Sequence, residues 1–243
     1  MKIKLIELFK NIRKNIINFI SIVVFIFLGV TLFQGLDYSG NAIKYSVNET
    51  FKQSNAYDVQ VKLNTLVDRE FIDNFKSIED VDDVQGFFYV NDDFIYNNKT
   101  YSSSITSITD SISKCLVVEG HLPTNDYEIA IFRGCANEIG ISVGDTITFK
   151  RHNILSFLRK TVKDPTGFDP SDVNDLNFKN ETFTISAIVI HPEYLNHDVS
   201  SHSIDLETGT NTNATFFVNE SAFNPSIKGD FYNGVYLKNI SLK

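Results

Sequence analysis

The chain has 243 residues, of which 42% are hydrophobic and 21 are Phe, enough for a sizeable core in one large or two small domains. The formal net charge is −8, but residues 1–14 carry five basic side chains against the single acidic Glu7, so this segment is at +4 and the remainder at −12. Because binding to nucleic-acid phosphates needs clustered Lys and Arg, the acidic main part of the chain argues against nucleic acid as its partner.

Residues 1–14 form a basic segment whose apolar residues recur at helical spacing. Leu5, Phe9, Ile12 and Ile16 follow one another at steps of four, three and four, and the lysines fall between them. This spacing predicts a cytoplasmic amphipathic helix that lies along the inner membrane surface, in contact with membrane lipid. The other interpretation is the ordinary basic flank of a membrane anchor, and spacing alone does not separate the two.

A run of 22 residues without a charged side chain, 15–36, follows the basic segment. About 20 apolar residues cross the hydrocarbon core of a bilayer as an α-helix, so the run predicts a transmembrane helix. Because the basic flank precedes the run, the N-terminus is predicted to be cytoplasmic and the main domain extracellular, on the far side of the cell membrane. A cleaved signal peptide is the competing interpretation, but its apolar region is normally shorter, about 7–15 residues.

The helical pattern continues beyond the uncharged run. Ile43, Val47 and Phe51 lie on one side of a helix, which predicts a helical stalk over 37–56. A continuous helix is stiff enough to transmit tilt or rotation, whereas a Gly/Ser-rich linker would absorb it. We therefore expect the outer domain to act as a lever on the transmembrane helix, and a flexible insertion after Asn55 to uncouple the two.

Residues 57–243 are predicted to form an extracytoplasmic α/β domain with an insertion at about 151–180. Alternating apolar and polar residues, or short apolar runs bounded by turn residues, indicate its strands. The predicted strands are 57–63, 84–89, 101–108, 116–120, 128–132, 146–150, 182–190, 214–218 and one near 234–237. The insertion is predicted from Pro165, Gly167 and Pro170 among several Asp and Asn residues.

Two short helices are predicted within this domain. Phe71, Phe75 and Ile78 lie on one face of a helix of about three turns. A second helix near 135–139 is followed by Gly140, which suits the left-handed conformation that ends many helices.

Three of the predicted strands carry more detailed expectations. Strands 84–89 and 101–108 are expected to form a hairpin around the turn-prone pair at 97–98. Strand 116–120 is expected to be buried. Strand 182–190 is expected to direct four apolar side chains to one face of the sheet: Phe183, Ile185, Ala187 and Val189.

Three of the five histidines lie close together and raise the question of a metal site. His191, His197 and His202 lie within twelve residues, beside Asp198. Their spacing matches no known helical or finger arrangement, so we expect a solvated loop instead. The chain is predicted to hold no metal ion and no cofactor.

Three pieces of the outer domain follow one another in the order of a known family. They are EGHLP at 119–123, YEIA at 127–130 and ANEIGISVGDTI at 136–147. Together they resemble the extracytoplasmic core domain of FtsX/MacB-type ABC-transporter permeases, in which EGRLP, NEI and VGDTI follow one another. Residues 18–40 are similar to the first transmembrane helix of these permeases, and 184–189 and 216–223 are similar to later strands of the domain.

The resemblance implies an α+β fold, in which one N-terminal transmembrane helix precedes a mixed-sheet domain like the MacB periplasmic core domain. It also implies that the domain couples ATP-driven motion to an extracytoplasmic protein or peptide substrate, or to another envelope partner. In the family, the ATPase subunit docks on a loop between later transmembrane helices. No stretch after Leu36 is long and apolar enough to span a bilayer. We therefore expect a leading fragment of a longer permease, a split half or a natural truncation.

Glu119, Glu128 and Asp145 are the carboxylates that an acid–base mechanism would use. Each lies at a strand edge or turn of the family-like segment, where the resemblance implies a structural role. The chain contains no G-x-S-x-G, no P-loop and no dinucleotide fingerprint. We therefore predict no catalytic residue, no cofactor-binding residue and no enzyme activity.

The two cysteines, Cys115 and Cys135, are both predicted to lie outside the cell. An oxidising compartment and an even count permit a disulfide between them. The alternative, which we favour, is two buried thiols that pack as small hydrophobic side chains.

Two further functions from other classes stay open at this point. One is a stand-alone, single-pass, membrane-anchored binding or sensory domain, and the other is an extracytoplasmic enzyme. A reading frame that continues into further transmembrane helices, with an ATPase gene beside it, would favour the permease. Loss of substrate turnover on replacing one carboxylate would favour the enzyme.

Overall fold

The computed structural model describes residues 13–149, 177–194, 203–204, 211–212, 214–225 and 228–239. The chain divides into two units, Met1–Glu49 and Thr50–Lys243. Residues 1–12 of the predicted amphipathic segment at 1–14 and most of the predicted insertion at 151–180 lie outside the described residues, as do His197, Asp198 and His202.

One long helix, α1 (Ile16–Ser54, 39 residues), covers both the predicted span and most of the predicted stalk. It is long and apolar enough to cross a membrane, and no other helix among the described residues is. Its apolar side chains are exposed from Ile16 to Leu36, as expected of a surface that lipid would cover. The division into a span over 15–36 and a stalk over 37–56 stays a prediction.

A small antiparallel sheet begins after the end of α1. It consists of β1 (Val59–Val67), β12 (Tyr232–Asn239) and β2 (Val81–Phe87), with β12 in the centre. A short helix, α2 (Arg69–Asn74), packs on one face of this sheet and continues into a 3-10 turn at Phe75–Ser77. The small sheet is therefore assembled from segments that lie far apart in sequence.

Helix α2 is shorter than predicted, and a different face of it is buried. Ile72 and Phe75 pack against the sheet, whereas Phe71 and Ile78 are exposed. The carboxylate of Asp68 accepts a hydrogen bond from the Phe71 amide at 2.8 Å and so caps the first turn. The predicted face was wrong for Phe71, because Ile72 faces the sheet instead, and for Ile78, because it lies beyond the 3-10 turn that ends at Ser77.

The larger sheet closes on itself. Its strands are β3 (Tyr89–Tyr96), β4 (Lys99–Ser107), β5 (Leu116–Gly120), β6 (Glu128–Phe132), β7 (Thr146–Phe149), β8 (Thr182–Ile190) and β11 (Ala214–Val218). The order is β5-β8-β6-β11-β4-β3-β7, and β7 also pairs with β8. Six strands thus form a barrel, with β5 as an extra strand on β8. Because β6 pairs parallel to β8 and β11 parallel to β4, the sheet is mixed, and the predicted α+β class is confirmed.

The remaining elements are small. Helix α3 (Arg133–Ile139) follows β6 and ends at Gly140, whose φ of 82° is the left-handed conformation predicted for it. Two-residue strands β9 (Ser203–Ile204) and β10 (Asn211–Thr212) pair with each other.

The barrel interior is filled by side chains from alternate positions of its strands. On each strand the inward residues lie two apart, as a half-buried strand requires. The fully buried members include Phe94, Ile105, Ile129, Ile131, Ile147, Phe149, Phe183, Ile185, Phe216 and Val218. Burying each such side chain contributes about 1.5–3 kcal/mol, so this cluster is the principal source of the stability of the domain.

The predicted hairpin is correct at its turn and wrong in one of its strands. Asn97 and Asn98 have φ of 48° and 61°, as a two-residue hairpin loop requires. The strand that enters the turn is β3, which was not predicted, and β2 pairs with β12 in the small sheet instead. Asp92 and Asp93 interrupt the apolar pattern of β3, so the sequence pattern did not predict this strand.

The apolar stripe of β8 changes face at a β-bulge, so the single-face prediction is wrong. Ser186 is an extra residue opposite β6. Before it, Phe183 and Ile185 point into the barrel, and after it, Ala187 and Val189 pack in a separate cluster on the outer face. One inserted residue shifts the two-residue alternation and sends the following side chains to the other side.

Strand β5 occurs where predicted, but it is not buried. Val117 and Val118 are 44% and 49% exposed. Among the described residues β5 pairs only with β8, so it is an edge strand, and its apolar run misled the burial prediction.

Candidate functional site

The C-terminal end of α1 is hydrogen-bonded to the loop at 109–114, which connects β4 to β5 and is called the junction loop below. The amide of Lys114 donates to the Ser54 carbonyl at 2.8 Å, and the amide of Ser113 donates to the Asn55 carbonyl at 2.9 Å. In the other direction, the Asn55 side-chain amide donates to the Ser111 carbonyl at 2.8 Å. Three hydrogen bonds thus attach Ser54, the last helical residue, and Asn55, which follows it, to a loop of the barrel.

Ser113 uses every polar group it has at this junction. Besides its amide, its hydroxyl accepts from the Tyr57 amide at 3.2 Å, and its carbonyl accepts from the Thr109 hydroxyl at 3.1 Å. The same carbonyl lies 2.8 Å from Nε2 of His191. Ser113 is fully buried with φ of 56°, a conformation that a non-glycine residue adopts only when surrounding bonds hold it.

Gln85 of β2 holds the other end of the junction loop. Its side-chain carbonyl oxygen accepts from the Ser111 amide at 3.0 Å, the Ser111 hydroxyl at 2.8 Å and the Ile112 amide at 2.8 Å. The junction loop is therefore bonded to the helix end, to the small sheet and to the barrel at once.

The chain that leaves α1 is also attached directly to β12. The Asp58 amide donates to the Leu237 carbonyl at 3.0 Å, and the Lys238 ammonium donates to the Ala56 carbonyl. The Asp58 carboxylate accepts from the Asn239 amide at 2.9 Å and pairs with Lys238 at 3.5 Å. These bonds fix Ala56–Asp58, the segment just after the helix end, to the small sheet.

Stacked aromatic rings fill the space between the small sheet and the junction loop. The ring of Tyr236 stacks on Phe87 at 4.2 Å and on Tyr57 at 4.9 Å between centroids, and Ile112 completes this cluster. Burial, and next the nearby Glu193 carboxylate, raise the pKa of Tyr57 to about 12. Gly234 lies against the Phe87 ring, where an added Cβ would overlap it.

His191 and Glu193 connect this region to the barrel strand β8. The Glu193 amide donates to Nδ1 of His191 at 3.3 Å, and the Glu193 carboxylate accepts from the Tyr236 hydroxyl at 3.2 Å and lies 3.7 Å from Lys62 Nζ. His191 is 2% exposed, and this burial lowers its pKa to about 4. The prediction of a solvated histidine is therefore wrong for His191, because the chain turns back into the core after β8.

Of the four metal-site candidates, only His191 lies within the described residues. No group of three His, Cys, Asp or Glu side chains there has the proximity of a metal site. The absence of a metal and of a cofactor stays a prediction.

The three carboxylates considered and rejected as acid–base candidates lie in separate places, two in turns and one on β5. The Glu128 carboxylate accepts a hydrogen bond from the Thr124 backbone amide at 2.7 Å. This bond is the main cause of the lowered pKa of the Glu128 carboxyl. Asp145 accepts from the Ser142 amide at 2.9 Å and from the Tyr96 hydroxyl, and Glu119 is exposed on β5. Glu128 and Asp145 therefore close their own turns, which is the structural role that the resemblance implies.

Cys115 and Cys135 are free thiols, so the disulfide is not formed. Cys115 is buried in the outer cluster, and burial raises the pKa of its thiol. Cys135 is partly buried and packs against the barrel core, and burial likewise raises the pKa of its thiol. The interpretation of a buried thiol that packs as a small apolar side chain is confirmed for Cys115, whereas Cys135 is only partly buried.

Sequence reasoning missed the junction loop, although its composition carried a signal. Residues 109–113 combine a hydroxyl at three positions with one aspartate and one isoleucine between two strands. Such a stretch is read as an ordinary polar loop, because nothing local shows that its partners lie at the end of α1 and in β2.

No family model and no curated protein matches this sequence. Among solved structures, the chain is similar to the extracellular domain of the noncanonic ABC-type transporter YknZ from Gram-positive bacteria, with 10% identity over 74% of this chain and 82% of that chain and a TM-score of 0.42. It is also similar to the periplasmic region of MacB from Actinobacillus actinomycetemcomitans, with 9% identity over 75% of this chain and 66% of that chain and a TM-score of 0.37. The similar structures are extracellular domains of ABC-type transporter permeases. At TM-scores this low, the similarity itself assigns no function to this chain.

Proposed function

We propose that the chain is the membrane anchor and extracytoplasmic domain of an FtsX-like ABC-transporter permease. The observation that carries the proposal is the attachment of the end of α1 to the domain: the last helical residues and Asn55 are hydrogen-bonded to the junction loop. A helix apolar enough to cross a membrane and bonded at its end in this way is suited to pass motion to the domain. A flexible tether for an independent binding module needs no such bonds.

In this function the domain works mechanically and has no chemistry of its own. It moves with α1 and acts on an extracytoplasmic protein or peptide, while α1 contacts membrane lipid. The ATPase subunit acts through the later transmembrane segments of the permease. The motif at 119–147 supports the assignment to this family, and the turn-closing bonds of Glu128 and Asp145 support the structural role of that motif.

The gene itself tests the proposal. We expect the reading frame to continue beyond Lys243 into further apolar segments of about 20 residues, with an ATPase gene beside it. Sequencing the genomic region decides this without any assay. A stop codon directly after Lys243, in a genome with no neighbouring ATPase, would contradict the permease and favour a stand-alone anchored domain.

A second expectation concerns orientation. Because five basic residues precede the uncharged run, residues 57–243 should lie outside the cytoplasm. Alkaline phosphatase fused at Lys243, which is active only outside the cytoplasm, should be active in whole cells, and green fluorescent protein at the same position should stay dark. In a matched fusion in which the five basic residues are replaced by Gln, alkaline phosphatase activity should be lower, because the orientation is then less strongly set. A bright cytoplasmic reporter on the unaltered chain would show that the orientation is wrong.

A further inference from the structure

His191 ties the junction loop to the barrel through both of its ring nitrogens. The Glu193 amide donates to Nδ1 at 3.3 Å, so Nδ1 is the acceptor and the ring proton lies on Nε2. Nε2 then donates to the Ser113 carbonyl at 2.8 Å. Only the neutral ring in this one tautomer makes both hydrogen bonds.

The surroundings of His191 oppose a positive charge. Rings of Phe217, Tyr194 and Tyr236 lie 4.8, 5.8 and 6.4 Å from its ring centroid. Burial is what lowers the pKa of His191, and it outweighs the Glu193 carboxylate and the hydrogen bond to Ser113, which both favour the charged ring. The Glu193 carboxylate also pairs with Lys62 and accepts a hydrogen bond from Tyr236. Among the described residues, Lys114, which adjoins Ser113, is also charged, and it is exposed to solvent.

We propose that His191 is an acid-sensitive latch, whose protonation at Nδ1 detaches the junction loop, and with it the end of α1, from the barrel. The added proton comes from solvent and converts Nδ1 from an acceptor into a donor that faces the Glu193 amide. That amide loses its acceptor, and a cation is left buried away from water. Opening the junction loop to water relieves both costs.

The direction of the pH effect follows from linkage. Burial lowers the pKa of His191 from 6.5 to about 4 in the closed junction, so the open state binds the proton more tightly. The closed latch is therefore fully stable above the ordinary histidine pKa and is weakened as the pH falls from there towards 4. Between pH 7 and pH 5 the equilibrium shifts towards opening by about 20-fold, if opening restores the ordinary pKa.

The buried thiol of Cys115 reports this opening, because it directly follows Lys114 of the junction loop. We would measure the reaction of the full chain in detergent micelles with 4,4′-dithiodipyridine, in a Cys135→Ser background. Dividing each rate by that of the urea-unfolded chain at the same pH removes the intrinsic pH dependence of the thiol. Protection is the ratio of the unfolded-chain rate to the folded-chain rate, and we expect it to fall about 20-fold for Cys115 from pH 7 to pH 5. The far-UV circular dichroism of the folded chain should be unchanged over this range.

The matched variant is His191→Gln, whose side chain does not titrate. Its protection should change less than about twofold over the same range. Equal acid dependence in wild type and variant, or loss of the circular dichroism signal in parallel with protection, would overturn the latch.

Should His191→Gln not fold, the wild type decides alone. One proton per opening requires the logarithm of protection to fall by nearly one unit per pH unit between pH 6 and pH 5, and a flat profile refutes the proposal. The role of the latch in transport rests on the proposed function. The reaction of the Cys115 thiol does not depend on that function, so failure of the latch and failure of the permease assignment can be told apart.

Discussion

A flexible Gly/Ser insertion between Glu49 and Thr50 is expected to abolish the ATP-driven function of a complete transporter that carries this domain. The insertion interrupts α1 before the residues that bind the junction loop, so motion of the membrane part no longer reaches Ser54 and Asn55. The measurement is the transport-dependent phenotype that the transporter confers on its host. Membrane insertion and folding of the domain should be unaffected, as a limited-proteolysis pattern equal to that of the wild type would show.

The matched control is the same insertion placed after Asn55, where the sequence alone suggested uncoupling. All three hydrogen bonds from Ser54 and Asn55 to the junction loop lie before that point. The helix end therefore stays attached, and we expect most of the function to be retained. Equal loss of function from both insertions would indicate that motion reaches the domain through β1 and not through the junction loop. Full function after the insertion at Glu49 would contradict the lever.

The effect of the insertion at Glu49 can also be measured in the isolated chain by electron paramagnetic resonance. Spin labels at Tyr45→Cys on α1 and Lys99→Cys at the β3–β4 turn, in a background without Cys115 and Cys135, report the helix-to-domain distance. Stiff coupling predicts a narrow distribution in the uninterrupted chain and a clearly broader one after insertion at Glu49. An already broad distribution in the uninterrupted chain would contradict stiff coupling.

Gly234→Ala is expected to destabilise the second unit by about 2–3 kcal/mol, because the new Cβ would overlap the Phe87 ring. Phe87 is held in place by its stack on Tyr236, so it cannot move aside without disturbing the aromatic cluster. Urea unfolding of the full chain in detergent, followed by near-ultraviolet circular dichroism of the tyrosines, measures this loss as a lower midpoint.

Two controls separate this overlap from a general effect of replacing glycine. Gly40→Ala in α1, where nothing lies within 4 Å, should leave the unfolding midpoint of the second unit unchanged. Phe87→Leu is destabilising alone, but combined with Gly234→Ala it should cost less than the sum of the two, because the smaller side chain frees space. An unchanged midpoint for Gly234→Ala would show that the β12–β2 contact has room to relax.

The elements set by local pattern were predictable from the sequence. The uncharged run at 15–36 required a long apolar helix, and four predicted strands agree with the structure at both ends: 116–120, 128–132, 182–190 and 214–218. These segments are recognisable because burial of apolar side chains and the turn residues beside them act over a few residues.

Closure of the sheet was decided by the tertiary structure. β7 is a four-residue strand whose pairing with β8 is a long-range choice of register, which no local pattern specifies. The same holds for β3, whose two aspartates conceal it, and for the bulge at Ser186, which redirects the apolar side chains that follow.

The sequence by itself determined that an apolar helix precedes a mixed α+β domain, and that no established catalytic motif is present. Only the tertiary structure decided that the end of this helix is held by a loop of the barrel. His191 lies 78 residues from Ser113, and Lys238 lies 182 residues from Ala56. Polar side chains such as Ser, Gln and Asn hydrogen-bond equally well to water or to protein, so their type does not reveal their partner. The fold supplies that partner when packing of the apolar core brings distant segments together and excludes water from between them.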